Sequence, residues 1–159
     1  MALEIAEGML ELATRSGDRT STWIGHYMIG VAQLHMARFA MALETWRRAL
    51  ALYDADENRR VTLAFGTNFG AHLLAYLSWA LLAVGAIDEA IQRDRDAVAE
   101  AGILPRVSSA AGVFLSSCLF SQLHSDRQAV EAKVEPLLAL CAEQKFPFWL
   151  AGPSSVKGG

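Results

Sequence analysis

The chain has 159 residues, of which 53% are hydrophobic and 19% charged, enough apolar surface to bury one core of ordinary domain size. A formal charge of −3 and a pI near 5.8 exclude the broad positive field that draws nucleic-acid phosphates, because Arg47/Arg48 and Arg59/Arg60 are only small patches. The most apolar run, Leu73 to Ala86, is interrupted by Ser78 and Gly85 and falls short of the roughly 20 residues that span a bilayer.

Residues 2–15 predict an amphipathic helix with Leu3, Ala6, Leu10 and Ala13 on one stripe, stopped by Ser16-Gly17-Asp18. Its Glu4, Glu7 and Glu11 replace the basic start of a secretion signal, so a cytoplasmic protein without membrane or nucleic-acid partners is expected. A hairpin over 20–53 pairs a helix carrying Trp23, Tyr27, Gly30, Val31 and Leu34 with one from Phe39 to Tyr53, turning through Ala37-Arg38. Residues 54–63 are polar and poorly periodic and predict an exposed connecting loop. A second hairpin over 68–101 turns at Gly85-Ala86, and a third over 105–144 turns near Ser125, whose spacing to Gln128 has the form of a capping box. Pro136 falls inside the last helix, where loss of a backbone donor predicts a bend or interruption. Residues 146–152 begin a truncated helix, and 153–159 predict a disordered tail. Cys118 and Cys141 fall at different distances from the last turn, so no disulfide is expected.

The chain repeats itself. Gly30, Ala32, Leu34, Ala42 and Ala49 recur 48 residues later as Ser78, Ala80, Leu82, Ala90 and Ala97, the signature of stacked helical hairpins. Small residues at these positions, with Ser117 and Ala129, let neighbouring helices approach, while Trp46, Leu50, Leu52 and Tyr53 fill the gaps between hairpins. The expectation is an all-α, right-handed α-solenoid of antiparallel helical hairpins with about seven helices in a single domain over 1–152. Residues 2–15 align with 42–55, so the chain opens on the second helix of a partial hairpin (1–17).

Gly30 to Ala49, with Phe39, Ala42, Trp46 and Ala49, resembles a tetratricopeptide repeat. The second repeat keeps Gly85, Ile87, Ala90 and Ala97 but has Asp94 in place of Trp46; the third keeps Ser117 and Ala129 but has Pro136 in place of an alanine. The order Tyr53-Asp54, Arg59-Arg60, Leu63-Ala64-Phe65, Gly70, Leu77-Ser78-Trp79-Ala80-Leu81, Gly85, Ala90 and Phe146-Pro147-Phe148-Trp149-Leu150-Ala151-Gly152 resembles the C-terminal repeat region of large bacterial predicted ATPases. Many of those carry an N-terminal class III adenylate or guanylate cyclase domain. The resemblance implies an interaction or regulatory segment of a signalling protein, with other domains of such a polypeptide as candidate partners.

Catalytic signatures are missing. Gly66-Thr-Asn-Phe-Gly70 lacks the lysine of a phosphate loop, and the carboxylates are assigned to the polar loop and outer helix faces. His26, His35, His72 and His124 have no metal-ligand spacing, and Ser116, Ser117 and Cys118 have no base placed beside them by a motif. No enzyme, metal or cofactor is therefore expected. In the resembled family the first helix of each hairpin lines a concave groove. Projection places Ile24, Tyr27, Val31, Leu34 and His35 there, then His72, Ala75, Trp79 and Leu82, then Ala111, Phe114, Cys118, Ser121 and Gln122. Lysine, arginine and asparagine are absent from this set, which disfavours a carboxylate clamp and suits an apolar peptide or helix anchored by Tyr27, Trp79 and Phe114. Two other readings stay open: a small-effector sensor using the same cavity, and self-association into a homo-oligomer through Ile5–Leu12 and Phe146–Leu150.

Overall fold

A computed structural model describes residues 2–103, 108–124 and 127–143. The described residues form eight α-helices: α1 (Ala2–Ser16), α2 (Arg19–His35), α3 (Phe39–Leu52), α4 (Ala55–Phe65), α5 (Phe69–Ala83), α6 (Ile87–Ile103), α7 (Ser108–Leu123) and α8 (Arg127–Glu143). Sequential neighbours pack as hairpins α2/α3, α5/α6 and α7/α8, with α1 against α2, and successive hairpins touch through α3/α5, α5/α7 and α6/α7. The described residues are an all-α stack of helical hairpins. The truncated helix at 146–152, the tail at 153–159, Ser125 and the Cys141 side chain lie outside the described residues.

The first two hairpins share one turn chemistry. After α2, the Arg38 N–H bonds the Gln33 carbonyl at 2.9 Å across Ala37, whose φ is 57°. After α5, the Ala86 N–H bonds the Leu81 carbonyl at 2.9 Å across Gly85, whose φ is 83°. Both turns close the helix with a residue in the left-handed region, which glycine enters freely and alanine does not.

Residues 54–63 are not a loop. They form most of α4, opened by the Asp54 carboxylate, which accepts from the Asp56 and Glu57 N–H groups at 3.0 and 2.9 Å, and closed by Gly66. The buried residues of α4, Asn58 and Thr62, lie one turn apart and are polar; a reading by apolar periodicity therefore misses the helix. Asn58 Nδ2 donates to Asn68 Oδ1 and Glu100 Oε1, its Oδ1 accepts from the Gly70 N–H, and the Tyr53 hydroxyl also donates to Glu100. This network fastens α4 to the second hairpin. Helix α8 runs through Pro136 without interruption.

The joints between hairpins differ in material. The first is built on Trp23, Tyr27, Leu43, Trp46, Leu73, Leu77 and Leu81, and the Trp46 ring lies nearly parallel to Tyr76, with centroids 6.3 Å apart. Gly30 admits the Trp46 indole; a Cβ there would stand 2.1 Å from Nε1. The second joint buries Ala71, Ala75, Ala97, Ala101, Ala110 and Val113. A buried leucine contributes about 1.5–3 kcal/mol and a single methyl(ene) about 0.8 kcal/mol, so the second joint gains much less from apolar burial.

A polar cluster stands beside it. Asp94, the counterpart of Trp46, is 3% exposed. Its Oδ2 accepts from Ser117 Oγ and Lys133 Nζ, both at 2.7 Å, and Lys133 also donates to Ser121 Oγ at 2.8 Å. The expectation that all carboxylates sit in the polar loop or on outer faces fails here: Asp94 is buried because α8 brings it a counter-ion. A buried carboxylate without one would carry a large desolvation cost.

Candidate functional site

The inner helices α2, α5 and α7 carry one formally charged residue between them, Arg19, and its Nε is engaged by the Leu52 carbonyl at 3.2 Å. Two hollows lie along these helices. The first, of about 300 Å³, takes Leu34 and His35 from α2, Tyr76 and Trp79 from α5, and Gly112, Leu115, Ser116 and Leu119 from α7. All three hairpins thus contribute a wall. The second, of about 370 Å³, lies between α1 and α2, with Ile5, Met9, Met28, Val31 and Met36 around it, and shares His35 with the first.

Polar atoms in the first hollow are few and oriented. His35 Nδ1 lies 2.8 Å from the Val31 carbonyl; a carbonyl only accepts, so the neutral ring carries its proton on Nδ1 and leaves Nε2 as an acceptor. Trp79 Nε1 donates to Ser116 Oγ at 3.0 Å, which fixes the indole across the α5/α7 boundary and frees the serine proton to donate elsewhere. Tyr76 is braced by Trp46 behind it and by the His35 and His72 rings, with centroids 6.4 and 6.1 Å away. The result is an apolar, aromatic trough with a hydrogen-bond acceptor at His35 and a donor at Ser116.

The residues projected from sequence are distributed unevenly. Leu34, His35 and Trp79 stand together in the first hollow, and Val31 lines the second. Tyr27 is buried in the first core, its ring edge-on to Phe69, and burial raises its hydroxyl pKa. Leu82 packs against the same core, and His72 packs on Tyr76, where burial lowers its pKa. On α7 the lining is turned by one residue: Gly112, Leu115 and Leu119 take the places projected for Ala111, Phe114 and Cys118. Phe114 packs between the two smaller cores, Ala111, Cys118 and Ser121 are buried, and Gln122 is exposed without lining either hollow. Small and apolar residues occur on every side of α7, so sequence alone leaves its rotation undetermined; the buried bonds of Ser117 and Ser121 set it. Sequence reading also misses Tyr76, whose signal is its place three residues before Trp79 on the same helix face.

Burial pushes the Cys118 thiol up to about 11, with the Lys133 ammonium lowering it and the Asp94 carboxylate raising it, so the thiolate is scarce. Lys133 spends its protons on Asp94 and Ser121. Among the described residues, no group of three or more His, Cys, Asp and Glu side chains is arranged to hold a metal ion, and no helix is long and apolar enough to cross a membrane. No family model, curated protein or solved structure matches the chain.

Proposed function

We propose that this chain is a non-catalytic, tetratricopeptide-like interaction segment that binds an uncharged face of an amphipathic helix in the trough between α2, α5 and α7. The observation that carries the reading is the near-absence of formal charge on three inner helices that together wall an aromatic hollow. An occupant with charged side chains on its buried face would lose hydration without gaining a counter-ion, whereas leucine or aromatic anchors would fit against Tyr76, Trp79 and Leu115. The partner is a protein segment, and the resemblance to repeat regions of bacterial cyclase and ATPase polypeptides makes another part of such a polypeptide, in the cytoplasm, the first candidate.

The test is capture of a partner by the unaltered chain and by Trp79→Glu, followed by binding of the captured helix at two salt concentrations. Expected is retention by the first, loss by the second, and an affinity that changes less than about two-fold between 0.05 and 0.5 M salt, because screening acts on charge pairs and the trough offers none. Equal retention by both proteins, or steep salt dependence, overturns the reading. A second reading rests on the size of the first hollow: about 300 Å³ is the lower end of small-ligand sites, and a small apolar effector would seat there with its polar group on His35 Nε2 or the Ser116 hydroxyl. Such a ligand would raise the melting temperature of the isolated chain.

A further inference from the structure

We propose that the third hairpin is a hinged wall of this trough, latched by the Asp94–Lys133 pair, so that engagement of the latch and occupancy of the trough are coupled. The proposal rests on the trough reading for what the motion serves, and on the two joints for the motion itself.

The first joint is held by large interlocked side chains, Trp46 against Tyr76 among them. The fully buried part of the second is alanines and one valine, with the half-buried Leu74, Phe114 and Leu140 packed against it. Small buried side chains interlock less than the indole and leucines of the first joint, so this joint slides more readily, with the Trp79–Ser116 hydrogen bond and the half-buried Phe114 resisting the motion. The bond that ties α8 to α6 runs through Lys133 to Asp94, at the position where the preceding repeat places Trp46. An ion pair is a switchable tie in a way that an indole is not: deprived of one partner, it leaves a buried charge that drives the element toward water. Phe120, 1% exposed, inserts into the first core near the end of α7 and supplies a pivot.

The trough is where this motion would be felt. Leu34 and Tyr76 belong to the tightly joined hairpins, while Leu115 and Leu119 belong to the third. An occupant touching both sides makes all its contacts only with the third hairpin docked, so it favours the latched state, and the latched state binds it more tightly by the same factor.

The experiment compares the unaltered chain, Lys133→Met, and the double variant Asp94→Leu/Lys133→Met, in which apolar side chains of similar length replace the pair. Hydrogen exchange is read first, without any ligand. Expected is exchange in α7 and α8 at least about ten times faster than in α2, α3 and α5 in the unaltered chain. Lys133→Met should speed it about ten-fold more while sparing the first hairpin, and the double variant should reverse most of that gain. Uniform exchange through all helices, or a response to Lys133→Met spread over the whole chain, overturns the hinge. Failure of the double variant to restore protection overturns the latch, and does so even if Lys133→Met alone folds poorly. The second readout is binding of an uncharged helical peptide of about 18 residues, built from leucine, alanine and glutamine with one tryptophan, a length of about 27 Å. Expected is weakening by about ten-fold in Lys133→Met and recovery in the double variant; equal affinity for all three proteins overturns the coupling. A peptide that binds none of them counts against the trough reading, and the exchange pattern still decides the hinge.

Discussion

Trp23 and Trp46 are 1% and 0% exposed, and they differ in what the indole N–H meets. Trp46 Nε1 donates to the Tyr27 carbonyl at 3.1 Å. Trp23 Nε1 is buried with no acceptor, while its ring stands edge-on to Tyr53 at 5.5 Å. An unpaired buried donor costs about 1–3 kcal/mol, which Trp23→Phe removes together with some packing. Trp46→Phe loses packing and a made hydrogen bond. Denaturant unfolding should therefore show Trp23→Phe less destabilising than Trp46→Phe by about 1–2 kcal/mol; equal losses would mean that the Trp23 N–H reaches an acceptor such as an internal water. Sequence places Trp46 in the gap between hairpins and Trp23 on the first helix of one, and gives no sign of the asymmetry, because the partner of Trp46 is a backbone carbonyl 19 residues away.

At the level of elements, α4 shows what makes a helix legible. The hairpins stand out in the sequence because small residues recur 48 apart and apolar stripes follow the helical period. Helix α4 buries Asn58 and Thr62 and exposes Leu63 and Phe65, at 71% and 75%, so its hydrophobicity runs opposite to its burial. Its caps carry the legible signal: Asp54 with Asp56 and Glu57 following, and Gly66 at the end. Energetically the helix depends on Asn58, which ties it to Asn68, Gly70 and Glu100. Asn58→Ala would leave the Gly70 N–H without its side-chain acceptor and take the amide donor from Glu100, which keeps the Tyr53 hydroxyl. A loss of about 2–4 kcal/mol is expected, against a near-neutral effect for the exposed Arg59→Ala on the same helix. Chemical denaturation of the two variants checks this; a mild effect of Asn58→Ala would show α4 to be held by something else. The same logic covers α7, whose rotation depends on the bond Ser117 donates to Asp94 and the one Ser121 accepts from Lys133, which have no periodic signature.

Across the whole molecule, charge sits on the outer helices and the inner helices are close to neutral, so acid acts through the few titratable groups that folding perturbs. Burial lowers the His72 pKa from its ordinary 6.5; burial, and then the Arg48 charge, lower that of His26. In both cases the unfolded chain binds a proton at a pH where the folded chain does not. Their contribution to stability is complete above about pH 6.5 and is lost as pH falls from there through the folded values. Asp18 and Asp54 act in a lower window: hydrogen bonds from Ser21 and from Glu57 hold their carboxyls below the ordinary 3.8, so the support they give to α2 and α4 persists until the pH drops beneath that value. The melting temperature should thus be level from about pH 8 to 7, fall below about pH 6.5, and fall again below about pH 4. His72→Phe keeps a ring against Tyr76 and cannot titrate, so it should flatten the upper fall and leave the lower one in place. An upper fall unchanged by that substitution would assign the titration to His26, and His26→Phe would then abolish it. Because His72 braces Tyr76, which lines the trough, the upper window would also set the pH below which the trough begins to lose its occupant, and peptide binding measured across the same range should weaken along with the melting temperature.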